Sequence, residues 1–425
     1  MANVVSPARG MRDILPQEQV KREYVLNIIK DVYKSFGFEQ IQTPAVELIS
    51  RLKSKQGGDN ESMLFEILKR GLDCRTAVFP SDASDLGLRY DLTLPLSRFF
   101  ASNKSKLPSV FRVLQVGSVW RAERPQKGRY RQFTQCDIDI LGEESVLAEI
   151  ELIVATLTVF KKLGMGEKIT LHVNDRRVLQ DLLASFGVDE SDYSQMLIIL
   201  DKWDKIRKDG VAREIVEKNL MSACDCASLV DTVDRVRSSS DVCASDAFVS
   251  NGVSVGLYDL PTIVSTVKSL VPGVKIEFDV SLVRGMGYYT GPIFEVTHDD
   301  FSSSVAGGGR YNKMIGKWLG KDVPACGFSI GFERIVDFVS LPDGGGNRCA
   351  VLYDGAMSYE DMFRLRREIF EDGKVAVFVK APRKLNSNFF DRLVSEGFAM
   401  VVDIRNVSGG VFSGGIDYKL LRVVE

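Results

Sequence analysis

The stretch Gly117–Gly142, GSVWRAERPQKGRYRQFTQCDIDILG, decides the fold. It reads as a β-hairpin with a basic tip. The first arm, Val113–Glu123, is rich in Val and alternates in character. On the second arm Phe133, Cys136, Ile138 and Ile140 mark mostly apolar positions, while Gln135, Asp137 and Asp139 are polar. Pro125 and Gly128 are the turn residues of the connection. Between Arg112 and Arg131 stand six Lys or Arg and one acid, Glu123, in a chain whose formal net charge is −2. The basic character is therefore local. Arg outnumbers Lys here, which suits planar, bidentate recognition of phosphate or carboxylate. A solvated hairpin tip is the plainer alternative, but Arg121 falls inside the strand pattern, where a buried Arg needs a partner.

At 425 residues the chain exceeds one ordinary core, so two or three domains are expected. Its 45% hydrophobic and 26% charged content is that of a soluble globular protein. No apolar run approaches a membrane span, and the first residues lack a signal peptide's apolar core. Any nucleic-acid binding must come from local basic surface. The seven Cys are scattered, which suggests reduced thiols, an intracellular setting and no structural zinc; Cys224, Cys226 and Cys243 lack a matching second pair. With only two His, His172 and His298, a His-rich metal site is excluded and catalysis falls to Arg, carboxylates and a bound ion.

Around the hairpin the elements follow in order. Pro16 opens a helix with Val20, Tyr24, Ile28, Val32 and Phe36 on one stripe, and Gly37 ends it. Phe38–Thr43 reads as a strand stopped by Pro44. Short strands are expected at Met63–Lys69 and Thr76–Pro80. In Leu88–Pro95, LRYDLTLP, either Asp91 and Thr93 share one face of a strand, ready for an ammonium group, or Thr93 caps the helix that Pro95 enters. Glu143–Gly164 is a long helix and Ile169–Val173 a strand. Residues 178–262 are helix-rich and read as an insertion, with Lys202–Lys208 as a solvated charge run.

Beyond it, Lys275–Val280 and Pro292–Thr297 read as strands flanking Arg284-Gly285-Met286-Gly287-Tyr288-Tyr289-Thr290-Gly291. The glycines there allow close backbone approach. The adjacent tyrosines are expected on opposite faces, one in a pocket and one in the core. Ala306–Tyr311, AGGGRY, is read as a strand-to-helix turn. Cys326–Ile335 ends a strand and opens a helix, with Arg334 near its start. Leu341–Gly346 is a flexible linker. After it the pattern alternates βαβαβ, a small, mainly parallel α/β domain with several basic residues.

The ordered set RAERPQKGRYRQFTQCDIDILG, LRYDLTLP, RGMGYYTG, AGGGRYN and GFSIGFERI resembles the class II aminoacyl-tRNA synthetases. RGMGYYTG and GRYRQFTQ look like histidyl-tRNA synthetases in particular, and the resemblance covers essentially the whole chain. It implies an α+β fold: a catalytic domain with a mostly antiparallel sheet flanked by helices, in two parts at 1–177 and 263–342. A helical insertion at 178–262 interrupts it, and a linker at 343–347 leads to an anticodon-binding α/β domain at 348–425. It also implies a cytoplasmic homodimer built through Gln17–Pro44. Two departures stand out: the last domain is short, and Thr134 occupies a position where many relatives carry His.

The chemistry implied is ATP-dependent activation of L-histidine, with Mg2+ accompanying ATP and no protein metal ligand, followed by transfer to the 3′ end of tRNA(His). The resemblance puts Arg121 and Arg284 in catalysis, with Arg121 on the α-phosphate and Arg284 beside it and the substrate carboxylate. Arg129 and Arg334 go to the outer phosphates, Glu123 to the adenine amino group, and Phe133 against the adenine. Asp91, Thr93 and Gln135 go to the substrate ammonium; Asp139, Tyr288 and Tyr289 go to the imidazole. Two anions must meet in the first step, so cations are needed where charge develops. A non-catalytic paralogue sensing histidine or tRNA as a regulatory subunit is the competing reading.

Overall fold

The structure is a computed structural model that describes residues 5–53, 63–70, 83–126, 128–239, 256–283, 288–341, 347–355, 357–405 and 416–421. These residues separate into two compact units, Met1–Ser340 and Leu341–Glu425.

The first unit begins with helix α1 (Pro16–Ser35). Proline fills its first turn, where the missing N–H costs nothing, and Gly37 leaves it at φ 83°. Strands β1 (Glu39–Ile41) and β2 (Val46–Leu48) and a single turn, α2 (Ile49–Leu52), follow. Next come β3 (Glu66–Leu68), β4 (Ser84–Leu88) and α3 (Thr93–Asn103). The hairpin is β5 (Phe111–Trp120) and β6 (Gln132–Leu141), paired without slip from Phe111–Leu141 to Trp120–Gln132. Helix α4 (Leu147–Lys162) and β7 (Ile169–Asp175) lead into a helical stretch: α5 (Arg176–Ser185), α6 (Tyr193–Leu200), α7 (Trp203–Glu217), α8 (Ala223–Ser239) and α9 (Leu260–Leu270). The chain returns through β8 (Lys275–Phe278), β9 (Pro292–His298), β10 (Phe301–Arg310), α10 (Lys313–Leu319), β11 (Ala325–Gly331) and α11 (Phe332–Ile335).

Eight of these strands form one sheet in the order β1-β5-β6-β11-β10-β9-β7-β8. Only the two outermost pairings, β1 with β5 and β7 with β8, are parallel. The mostly antiparallel sheet expected from the sequence is what the chain forms. Period-two alternation divides its faces. Cys136, Ile138 and Ile140 of β6 join the large core beneath α1 and α4. Leu141 joins a second core on the opposite face, with Leu96 and Phe100 of α3 and Met314 and Ile315 of α10. Gln135, Asp137 and Asp139 of β6 also take that opposite face, by parity with Leu141.

Two local expectations change. The run Ala306–Arg310 lies within β10 and not in a turn. Its glycines are there for spacing: a Cβ on Gly308 would run into the carbonyl oxygen of Gly327 on β11. Asp91 and Thr93 are not in a strand. β4 stops at Leu88, Thr93 is the first residue of α3, and Asp91 supplies the cap by accepting the Leu94 N–H at 3.1 Å. The charge run at Lys202–Lys208 lies at the surface as expected, with Lys202 paired to Glu214 and Lys208 to Asp231 and Asp234. Thr76–Pro80 and Cys243 lie outside the described residues.

The second unit is a four-stranded sheet, order β13-β12-β14-β15, of β12 (Arg348–Tyr353), β13 (Val375–Lys380), β14 (Met400–Asp403) and β15 (Lys419–Leu420). Its first three strands are parallel, joined through α12 (Tyr359–Glu371) and α13 (Ser387–Ser395). The α12 side buries Met362, Leu365 and Ile369, and the α13 side buries Phe389 and Leu393. This is the small α/β unit read from the βαβαβ pattern.

Candidate active site

The exposed part of the central sheet floors a cleft of about 690 Å3. Asp91, Thr93, Arg121, Glu123, Arg129, Phe133, Gln135, Asp139, Tyr288, Tyr289 and Arg334 all line it. These are the predicted site residues except Arg284, which lies outside the described residues.

Beyond Trp120 the hairpin closes in a loop whose tip is a tight turn, Gln126 and Arg129 exchanging backbone hydrogen bonds at 2.9 and 3.1 Å. Arg121 leaves the strand end with its Nε donating to the Tyr90 carbonyl at 3.0 Å and its guanidinium 5.1 Å from the Phe133 ring centre. The Arg129 guanidinium lies 3.5 Å from the Glu123 carboxylate. Arg334 donates to the Ser304 carbonyl. This end of the cleft therefore offers cations beside an aromatic face.

Along β6 the character reverses. Residues 133, 135, 137 and 139 share the face turned to the cleft, by strand parity. Asp137 and Asp139 are each 3% exposed and Gln135 is 9% exposed. The Asp139 Oδ1 accepts from the Tyr311 hydroxyl at 2.6 Å, while its Oδ2 is buried with no partner among the described residues. Asp91 faces the same region.

Burial dominates the electrostatics here. It lifts Asp91 from 3.8 to about 6, against the Leu94 N–H and the charges of Arg121 and Arg89. It lifts Asp139 to about 7, with Asp91 adding repulsion and the Tyr311 hydroxyl opposing. Asp137 is raised well above its ordinary value, by burial first and then by Asp139. Burial thus holds all three acids toward the neutral form, and a cationic group placed beside any one of them would favour its ionised form.

Tyr289 is buried in the second core, as expected for one of the pair, and Tyr288 packs against that core. Both precede β9 and both line the cleft, with ring centres 4.7 Å apart. The sequence reading also passed over residues that matter. Asp137 could have been found, since its parity with Gln135 and Asp139 puts it on the same face. Ser329 could not, because only the β6–β11 register sets it opposite Asp137. Trp203 and Asp204 of α7 and Arg237 of α8 also line the cleft. Arg237 joins Asp204 at 2.9 Å to Asp279 at 3.1 Å.

Known proteins resemble this chain over most of its length. The family model described as Histidyl-tRNA synthetase matches residues 10–335. The histidine–tRNA ligase of Leifsonia xyli subsp. xyli (strain CTCB07) is 44% identical over 410 residues, covering 94% of this chain and 95% of that protein. The histidine–tRNA ligase of Bacteroides fragilis (strain YCH46) is 35% identical over 347 residues, 78% of this chain and 76% of that protein. Among solved structures, histidyl-tRNA synthetase from Nostoc sp. PCC 7120 is similar at a TM-score of 0.73 and 26% identity, over 95% of this chain and 92% of that one. With a family match over most of its length and relatives this similar, the chain belongs to the histidyl-tRNA synthetase family.

Proposed function

We propose that this chain is a cytoplasmic, homodimeric histidine–tRNA ligase. It joins histidine to ATP as histidyl-adenylate, releasing pyrophosphate, and passes the histidyl group to the 3′ end of tRNA(His). The observation that carries this is the reversal of character along one strand. Phe133 and Asp139 are about 20 Å apart on β6, with cations around the first and acids around the second. A nucleotide and an amino acid laid along that strand meet near its middle.

Adenine rests on Phe133, and Glu123 accepts from its amino group. Arg129 and Arg334 hold the outer phosphates. Arg121 sits on the α-phosphate, which the substrate carboxylate attacks, and Arg284 steadies both groups. Fixed guanidinium groups that meet charge as it develops need no reorganisation in the transition state. Asp91, Thr93 and Gln135 take the ammonium. Asp139, held by Tyr311, and Tyr288 and Tyr289 read the imidazole, whose donor and acceptor distinguish it from apolar analogues.

Among the described residues, no group of three or more His, Cys, Asp or Glu is placed to hold a metal ion. Glu295 of β9 is one of several carboxylates in the cleft lining, which suits Mg2+ that arrives on the nucleotide and takes most of its ligands from phosphate and water. When bound, that ion neutralises phosphate charge.

The second unit reads the anticodon. The homodimer forms through Gln17–Pro44, where Val20 is exposed and β1 is an edge strand. The deciding assay is ATP–pyrophosphate exchange with each amino acid in turn. Exchange with histidine alone supports the reading. Absence of histidine-dependent exchange from the full chain, or equal exchange with another amino acid, defeats it.

A further inference from the structure

Gln135, Ser329 and Asp137 form a directed chain of hydrogen bonds on the cleft floor. The Gln135 Nε2 donates to the Ser329 Oγ at 2.9 Å. The Ser329 hydroxyl donates to the Asp137 Oδ1. The Asp137 carboxylate oxygens also stand 3.4 and 3.5 Å from the Gln135 Nε2. At the far end, the Gln135 Oε1 is buried with no partner among the described residues.

The polarity of this chain follows from donor arithmetic. A hydroxyl has one hydrogen; once it goes to Asp137, Ser329 can only accept from its other neighbour. The Gln135 amide must then present its NH2 group to Ser329, and its carbonyl oxygen is turned the other way. A glutamine amide is otherwise free to flip, since its two ends have the same shape and opposite polarity. The β6–β11 register, with Asp137 opposite Ser329 and Gln135 opposite Gly331, brings the three groups together.

We infer that Asp137, acting through Ser329, is a positioning residue that locks the Gln135 amide with its carbonyl oxygen toward the substrate ammonium. This rests on the proposed assignment of Gln135 to the ammonium. Asparagine at 137 unlocks the chain. Its amide can donate to Ser329 as well as accept from it, so Ser329 can donate to the Gln135 carbonyl and the Gln135 NH2 group can turn toward the incoming cation. Shape is preserved while the fixed polarity is lost.

The test compares inhibition constants of histidinol, which keeps the ammonium, and 3-(imidazol-4-yl)propionate, which lacks it. Both are measured against histidine-dependent pyrophosphate exchange by the full-length protein, with the KM values for histidine and ATP. In Asp137→Asn, histidinol and histidine should weaken by about tenfold or more, as expected for a lost hydrogen bond to a charged group, with the propionate held within about twofold. The ATP KM reports that the fold is intact. Ser329→Ala should show the same selectivity at smaller size, because the direct Asp137 contact remains, and Ser329→Thr should restore binding. Equal weakening of all three imidazole ligands, or no weakening of any, overturns the inference while leaving the enzymatic reading in place. If the wild-type protein shows no histidine-dependent exchange, the enzymatic reading fails and the inference falls with it.

Discussion

Glu333 holds Arg22 with both carboxylate oxygens, at 2.5 and 2.8 Å, across most of the first unit's sequence. The same carboxylate accepts the Thr134 N–H at 3.2 Å and takes Arg12 at 3.2 Å. Helix α1, the return arm of the hairpin and the residue beside Arg334 are thereby tied at one point.

Removing Arg22 leaves that carboxylate buried and short of charge. Arg22→Met should lower unfolding stability by about 3 kcal/mol, read by urea denaturation. The acid dependence follows from Glu333. Burial would raise it, but Arg22 and the Thr134 N–H outweigh burial and hold it below its ordinary 4.5. Its stabilisation is therefore complete above pH 4.5 and disappears as pH falls through the lower folded value. The variant should show a flatter loss of stability with acid than the wild type.

Asp91 works the other way. Its folded value of about 6 lies above the ordinary 3.8, so its ionisation destabilises the substrate-free protein, none of the cost below pH 3.8 and all of it above pH 6. Asp91→Asn keeps a side-chain acceptor for the α3 cap. It should raise the melting temperature of the substrate-free protein at pH 7.5, by a stability on the order of 3 kcal/mol, and leave it nearly unchanged at pH 4. Histidine binding should be lost in the same variant. A melting temperature that falls at pH 7.5 would contradict the account.

Two glycines on neighbouring strands should fail differently. A Cβ on Gly327 meets the Asp139 carboxylate, a side chain that can turn at the cost of its Tyr311 bond. Gly327→Ala should raise the histidine KM by about tenfold while sparing the ATP KM. A Cβ on Gly308 meets a backbone carbonyl, which cannot move without the sheet. Gly308→Ala should destabilise the whole unit, seen as low soluble yield or a much lower melting temperature.

Deleting Leu341–Glu425 should separate the two half-reactions. The first unit holds its own core and the whole described cleft, so pyrophosphate exchange should stay close to that of the full chain. Charging of tRNA(His) should fall by orders of magnitude. Equal charging by both forms would remove the second unit from tRNA recognition.

How much of this could be read beforehand depended on the range of the interaction. The hairpin was legible because alternation along β5 and β6 is local and both arms lie within one stretch. Helix α1 was legible from its apolar period, Pro16 and Gly37. The glycines at 308 and 309 misled because glycine commonly marks a turn; here they thin a strand so that β10 can approach β11 at Gly308 and β9 at Gly309, a demand set by residues on other strands. The tyrosine pair was legible in part: Tyr289 is buried in the second core, yet both rings border the cleft, because they precede the strand whose parity would separate them. The predicted site residues that line the cleft followed from motifs, yet the Gln135–Ser329–Asp137 chain depends on a register between distant segments that no local pattern encodes.

That distance bears on how the chain is made. Strand β7 lies between β8 and β9, and both follow residues 176–274 in sequence. As the chain leaves the ribosome, β7 has neither neighbour, and both rows of its backbone donors and acceptors stay open until the helical stretch has been synthesised. Its apolar residues Leu171 and Val173 are exposed to wrong pairing for the same interval. The helices that interrupt the sheet set the length of that vulnerable period, so their speed of folding bears on the yield of active enzyme as well as on the shape of the cleft.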